Sequence, residues 1–475
     1  LSINRIDWKR IRFAPGRSQS LGLILSFVVL SLLPLAVDAQ QTQQSTAPVR
    51  QTASAKSLSD AARLVTEFEV NGLKVLVKRR EGSQTVVAGL FLRGGASNVT
   101  ADNAGVEALM LDVATEASAG FPRERMRREL SRTGTSLSYG INLDYSVLSL
   151  GSTRRYFDRS WEIFTDAALR PSFAPDDFAR VKNRILVALG GDQDVPDSFL
   201  QVLQSRNAYK GHPYLNEPHG TVASVSRLTI DDVKKFHQTM MQTSRLLLVV
   251  VGDIDPQQIR QKVEASLAKL PRGDYRPAPP PPLVFNAQTV EITNRSLPTN
   301  YIQGVFAAPP LSVPDIYPMR VAASILQGRV FLEVRMRRNL SYAPDAFLWT
   351  QAANLGGIYV TAVDANQAVR VMLDEITRLQ NEPVSPDELQ ATTQHFLTKH
   401  YISQETNAAQ AGDLAQYELL GGGWRNSAVF MERLGSVTPE DVKRVANKYM
   451  RNIRFVVIGN PQSVDLRSFG GQAGG

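Results

Sequence analysis

The chain has 475 residues, 43% of them hydrophobic, which is apolar enough for large cores and long enough for more than one domain, and it excludes a disordered polymer. Its formal charge of +8 comes with no basic run interleaved with aromatics and no zinc-finger spacing, so nucleic acid is not an expected partner. With no cysteine there are no disulfides and no thiolate ligands, and stability must come from packing.

The N-terminus reads as an export signal over residues 1–39. Arg5, Lys9, Arg10, Arg12 and Arg17 precede an apolar run over 21–37, and Val37-Asp38-Ala39 has the small-residue form of a cleavage site. Removal after Ala39 takes away five Lys or Arg and two Asp, lowering the charge from +8 to +5, and puts the protein in the periplasm or outside the cell. The other reading is an uncleaved anchor, although the run falls short of the roughly 18 to 20 residues that span a bilayer. The membrane is then met only through this segment. Residues 40–63, rich in Gln, Ser, Thr and Ala, read as a flexible leader.

Regular structure is expected from about Thr66. Asn71-Gly72 between two alternating apolar runs is a strong two-residue hairpin signal. A strand over 85–92 follows, ending at Gly94-Gly95. Helices over 105–118 and 123–132, strands over 136–141 and 145–150, and long helical patterns through 155–208 come next. Gly421-Gly422-Gly423 before Trp424 reads as a helix stop rather than a ligand loop.

Two separated segments recur at nearly one offset. Thr229-Ile230-Asp231-Asp232-Val233, leading to the apolar strand that ends at Gly252, is echoed by Thr438-Pro439-Glu440-Asp441-Val442, leading to the strand that ends at Gly459, 209 residues after Thr229 in the case of Thr438. Pro175-Asp176-Asp177 is echoed by Pro386-Asp387-Glu388 at an offset of 211. The chain therefore reads as two copies of one domain, 64–270 and 286–462, joined by a Pro-rich linker over 271–285 and followed by a tail over 463–475. The fold class is α+β, each copy an antiparallel-rich sheet with helices packed on one face.

The stretch 329–342 exceeds the needs of folding. Read as a helix after Gly328, it turns Phe331, Leu332 and Val334 to the core and sets Arg335, Arg338 and Tyr342 along another face. A guanidinium with five donors and an uncharged phenol suit a peptide backbone rich in carbonyl oxygens. The plainer reading is a solvated basic face ended by Pro344. The corresponding region of the first copy is 105–132, so the two stretches would form opposite walls of one cleft.

The order of Phe91-Leu92-Arg93-Gly94-Gly95, Asn103-Ala104-Gly105, His212-Pro213-Tyr214, Gly220-Thr221, Glu333-Val334-Arg335 and Leu340-Ser341-Tyr342 resembles the pitrilysin and insulinase metallopeptidases, which include the processing peptidases, over about residues 64–462. The resemblance implies two homologous domains. It also implies an inverted zinc motif, H-x-x-E-H, after the glycine segment. Here Ala108 and Asp112 stand at the histidine positions and Leu111 at the glutamate, and the downstream run beginning at Arg184 is apolar at both candidate positions for the last ligand. Alanine and leucine neither bind zinc nor move protons. No two of the five histidines, His212, His219, His237, His395 and His400, form an i, i+4 pair that would move the site, and Glu107 with Asp112 reads as a solvated helix face. No metal or other cofactor is expected in this chain.

In the family an arginine and a tyrosine seven residues apart in the later domain bind substrate backbone and support the oxyanion. The resemblance puts them at Arg335 and Tyr342, with Arg338 beside them and Asn339 where glycine is common. It thus implies a non-catalytic subunit that grips peptide substrate while a zinc-bearing homologous partner brings the metal. The alternatives are a scaffold of the same fold without proteolytic role, and an independent metallopeptidase with unorthodox ligands.

Overall fold

The computed structural model describes residues 62–191 and 194–470; the signal segment 1–39 and nearly all of the 40–63 leader lie outside them. The first sheet holds β1 (Val65–Val70), β2 (Leu73–Arg79), β3 (Thr85–Arg93), β4 (Ser136–Ile141), β5 (Tyr145–Thr153) and β6 (Leu246–Gly252), in the order β1-β2-β6-β3-β5-β4. Asn71 and Gly72, both at positive φ (48° and 82°), make the tight turn between β1 and β2 that their sequence called for. Only β2 and β6 run parallel.

The second sheet repeats this plan. It holds β7 (Thr289–Asn294), β8 (Asn300–Ala308), β9 (Asp345–Leu348), β10 (Asn354–Ala362) and β11 (Arg454–Gly459), in the order β7-β11-β8-β10-β9. Strand for strand this matches β2-β6-β3-β5-β4, including the single parallel pair, β7 with β11. The duplication is therefore one of topology as well as of sequence, and β1 is the extra strand of the first copy.

Helices of the first half are α1 (Val106–Glu116), α2 (Arg123–Thr133), α3 (Phe157–Leu169), α4 (Pro175–Gly191), α5 (Pro196–Ala208), α6 (Val222–Arg227), α7 (Ile230–Met240) and α8 (Pro256–Ala265). Those of the second half are α9 (Ile316–Val330), α10 (Ala365–Asn381), α11 (Pro386–Ser403), α12 (Asn407–Leu420), α13 (Arg425–Ala428), α14 (Phe430–Gly435) and α15 (Pro439–Tyr449). The echoed segments open α7 and α15 with the same device. Thr229 and Asp232, like Thr438 and Asp441, bond reciprocally to each other's backbone N–H and close a capping box.

One face of each sheet packs on its own helices. Leu246, Leu248 and Val250 of β6 join Leu109 and Val113 of α1, Phe164 of α3 and Val233 of α7. Phe455 and Val457 of β11 likewise join Leu326 of α9, Met372 of α10 and Val445 of α15. The opposite faces are also covered, which the one-face expectation omitted. Leu247, Val249 and Val251 pack under Ala411, Leu414 and Ala415 of α12, a helix of the second half, with Trp424 beside it. Val456 and Ile458 pack under Leu200 of α5, a helix of the first half. Each half lends the other a helix, so both central strands are buried on both faces and read as unbroken apolar runs.

Between the halves, 271–285 carries neither helix nor strand. His212 bonds the Pro281 carbonyl through Nε2 at 2.9 Å and accepts the Tyr214 N–H on Nδ1 at 3.1 Å. The second domain runs past the expected boundary at 462. Phe469 is fully buried, its ring 5.2 Å from and perpendicular to that of Phe455, because the core side of β11 needs a cover after the last helix. Truncating Leu200 to Ala is expected to cost about 2–5 kcal/mol. Native-state hydrogen exchange should show faster exchange at Arg454–Gly459, in the other half from the mutation.

Candidate functional site

Gly105, at φ 93°, turns the chain into α1, and all three degenerate motif positions, Ala108, Leu111 and Asp112, are buried there. Glu107 and Asp112 are buried too, against the expectation of a solvated face, because α1 lies between the sheet and α4. Arg184 of α4 reaches across to Asp112 and to Glu116, one turn further along α1. Its Nη2 donates to Asp112 Oδ1 at 2.6 Å and its Nη1 to Glu116 Oε1 at 2.9 Å. Arg180, one turn earlier, donates from Nη2 to Glu116 Oε2 at 3.1 Å and to Asp177 Oδ1 at 2.9 Å. Burial pushes the Asp112 carboxyl above its ordinary pKa, and the adjacent Arg184 charge opposes that rise.

These residues do not fit a zinc ion. Two of the three motif positions carry alkyl groups, the third is engaged by a guanidinium, and the helix that would bring the last ligand brings a cation instead. Among the described residues no three His, Asp or Glu side chains are grouped as a metal would require. His237 bonds the Ala168 carbonyl through Nε2 at 2.8 Å, and His219 pairs with Glu217 at 3.0 Å, so each has a local role. Nothing local in the sequence around Arg184 shows that it faces Asp112 and Glu116, 72 and 68 residues earlier.

Glu107 is a different case. It is fully buried, accepts a hydrogen bond from Ser146 Oγ on Oε1, and has no partner for Oε2 among the described residues. Burial outweighs the help of Ser146, of the Asn98 side chain and of the Arg245 charge and pushes its carboxyl up to about 7.

In the second domain α9 does not continue as an α-helix through Tyr342. It passes into a π-helical turn, Phe331–Arg337, then Asn339 reverses the chain at φ 50°, the left-handed geometry that asparagine tolerates. Val334 is buried as expected, but Phe331 and Leu332 are turned out to solvent by the wider turn. Arg335 and Tyr342 meet across this reversal, not along a helix face. Arg335 Nη1 donates to the Tyr342 carbonyl at 2.8 Å, and the guanidinium lies 4.1 Å from the centre of the Tyr342 ring and 5.3 Å from that of Phe331. Tyr342 is 79% exposed.

Arg338 is used otherwise. With Arg337 it binds the buried Glu333 carboxylate, and the two cations, Arg338 first, hold that carboxyl below its ordinary range. This pairing removes Arg338 from the cationic face expected to meet peptide and makes it a brace of the turn. Among the described residues no hydrogen bond or ion pair joins 329–342 to the 105–132 region.

Two homologous α+β domains, one with alkyl groups at two positions of the expected metal motif and one with a half-buried Arg against an exposed Tyr at a π-turn, define a peptidase-type protein with no metal-binding set among its described residues. Residues 74–221 match the family described as Insulinase (Peptidase family M16), and residues 227–395 match Peptidase M16 inactive domain. The chain belongs to the M16 peptidase family. It is 21% identical over 408 residues to an uncharacterized zinc protease of Rickettsia felis, covering 84% of this chain and 97% of that one. It is 22% identical over 214 residues to the non-peptidase homolog YmxG of Helicobacter pylori, covering 45% and 50%. Its fold matches a crystal structure of a peptidase M16 inactive domain from Pseudomonas fluorescens with a TM-score of 0.76 and 20% identity, over 83% of this chain and 98% of that one.

The Glu107 environment makes a testable demand. Its folded pKa lies above the unfolded value of 4.5, so the native state holds the extra proton and stability falls as pH rises from about 4.5 through about 7. Glu107→Gln keeps the acceptor for Ser146 and removes the titration. Urea unfolding is expected to show the variant about 2–3 kcal/mol more stable than wild type at pH 8, with little difference at pH 4.5.

Proposed function

We propose that this chain is a non-catalytic, exported subunit of a zinc metallopeptidase, which binds peptide substrate and supplies Arg335 and Tyr342 to hydrolysis at the metal of a homologous partner subunit. The contrast between the two halves carries this reading. In the first, two motif positions carry alkyl groups and the third, Asp112, is bound by the Arg184 guanidinium, so these positions offer no means of activating water. In the second, an Arg and a Tyr are held together at the surface, stacked and bonded through the Tyr342 backbone, with the phenol free to reach another molecule.

The chemistry suits the role. One of the five guanidinium donors of Arg335 is taken by the Tyr342 carbonyl, leaving four for substrate carbonyls, and stacking fixes both groups before substrate arrives. A preorganised donor beside a developing oxyanion lowers the barrier by about 2–4 kcal/mol. Exposure of the Tyr342 ring in the single chain is what a group donated to another subunit requires. Export rests on the basic and apolar pattern of residues 1–39.

A scaffold of the same fold is the second reading, favoured by the similarity to a chain described as a non-peptidase homolog. The two separate in one experiment. The purified chain is expected to be inactive alone and to restore peptide cleavage when mixed with its zinc-bearing homologue. Tyr342→Phe is expected to lower turnover about 100-fold with unchanged assembly on size exclusion. Full activity of that variant, or of the homologue without this chain, would establish the scaffold.

A further inference from the structure

The cluster between α1 and α4 sits where the family resemblance puts the metal. Asp112 stands at the position of the second histidine, and Arg184 comes from the helix expected to bring the last ligand. A zinc ion at such a site joins these two helices through its ligands. Here one guanidinium makes the join, bonding Asp112 at 2.6 Å and Glu116 at 2.9 Å, and Arg180 extends it to Glu116 and Asp177. Acidic residues at i and i+4 of one helix face basic residues at i and i+4 of the other, a complementary ladder.

The second domain supplies an independent parallel. Its α9 and α11 are the counterparts of α1 and α4, and they are tied by a bidentate pair, Arg329 Nε to Glu388 Oε1 at 2.9 Å and Nη2 to Oε2 at 2.7 Å. Glu388 and Asp177 occupy the same place, the third residue of their helices. The fold thus fastens this helix pair by an Arg–carboxylate contact in both halves, with the arginine on opposite partners.

We propose that Arg184 is a resident cation that replaces the metal as the fastening between α1 and α4, so that the first domain is held shut without zinc and is closed to it. The proposal uses the family reading to identify the motif positions, but its test needs neither a partner nor activity. The occupant of the site is this chain's own side chain, in charge-assisted bonds to a buried carboxylate, and a metal ion entering there would have to displace it and leave that cation unpaired.

The test is a double-mutant cycle on the full chain. Arg184→Met and Asp112→Asn are each expected to lower Tm by about 4–8 °C, and the double variant by clearly less than the sum of the two. Wild-type Tm should be the same in EDTA and in equimolar zinc, with no zinc retained after gel filtration. Replacing four residues together, Ala108→His, Leu111→Glu, Asp112→His and Arg184→Glu, should give a chain that retains one zinc and loses Tm on chelation. Additive single losses, or a wild-type Tm raised by zinc, would overturn the proposal. If Arg184→Met does not fold, Arg184→Lys in the same cycle carries the same expectation with a smaller loss.

Discussion

The exchange of helices between the two halves is the constraint on which the rest of the molecule depends. A five- or six-stranded sheet with one face on its own helices leaves the other face apolar, and Leu247, Val249 and Val251 on one sheet and Val456 and Ile458 on the other cannot be left to water. α12 and α5 resolve both at once. The contacts that follow are polar as well as apolar. Trp424 Nε1 donates to Glu67 at 2.9 Å, Lys74 pairs with Glu418 at 2.7 Å, and Asn407 donates to the Thr85 carbonyl at 2.7 Å. The halves are held in place by this interlock and by a second seam, where Phe285 of the connection packs with Tyr209 and Tyr214 of the first half and Val305 and Leu355 of the second.

Much of this was legible where the signal is local. Asn71-Gly72 announced a turn because few residues accept positive φ, and Thr229 with Asp232 and Thr438 with Asp441 announced helix starts because their side chains satisfy the first free N–H groups. The duplication was legible because the same devices recur at one offset. The exchange was not, since nothing local in Leu200 or Leu414 says which of two similar sheets it will cover.

The site was legible in part for the same reason. Ala108 and Leu111 were legible at once as side chains that cannot bind a metal, because identity alone decides ligation. What replaced it needed two helices to be set side by side. The i, i+4 spacing of Asp112 and Glu116 matches that of Arg180 and Arg184, but only the packing of the two helices shows that these rows face each other. The stretch 329–342 failed in another way. Its spacing predicts a regular helix, whereas the π-turn and Asn339 reverse the chain, bring Tyr342 back onto Arg335 and leave Arg338 to Glu333.

The interlock also has a consequence for how the polypeptide comes into being. As synthesis proceeds from the N-terminus, the first half is complete through β6 while the helix that roofs its outer face is still untranslated. For that interval a nascent chain displays a smooth row of leucine and valine on a central strand. Such an intermediate is a natural client for a holding chaperone, and halves produced separately would be sticky partners for one another or for themselves. Cutting the proline-rich connection after assembly, by contrast, would leave a nicked molecule that stays together.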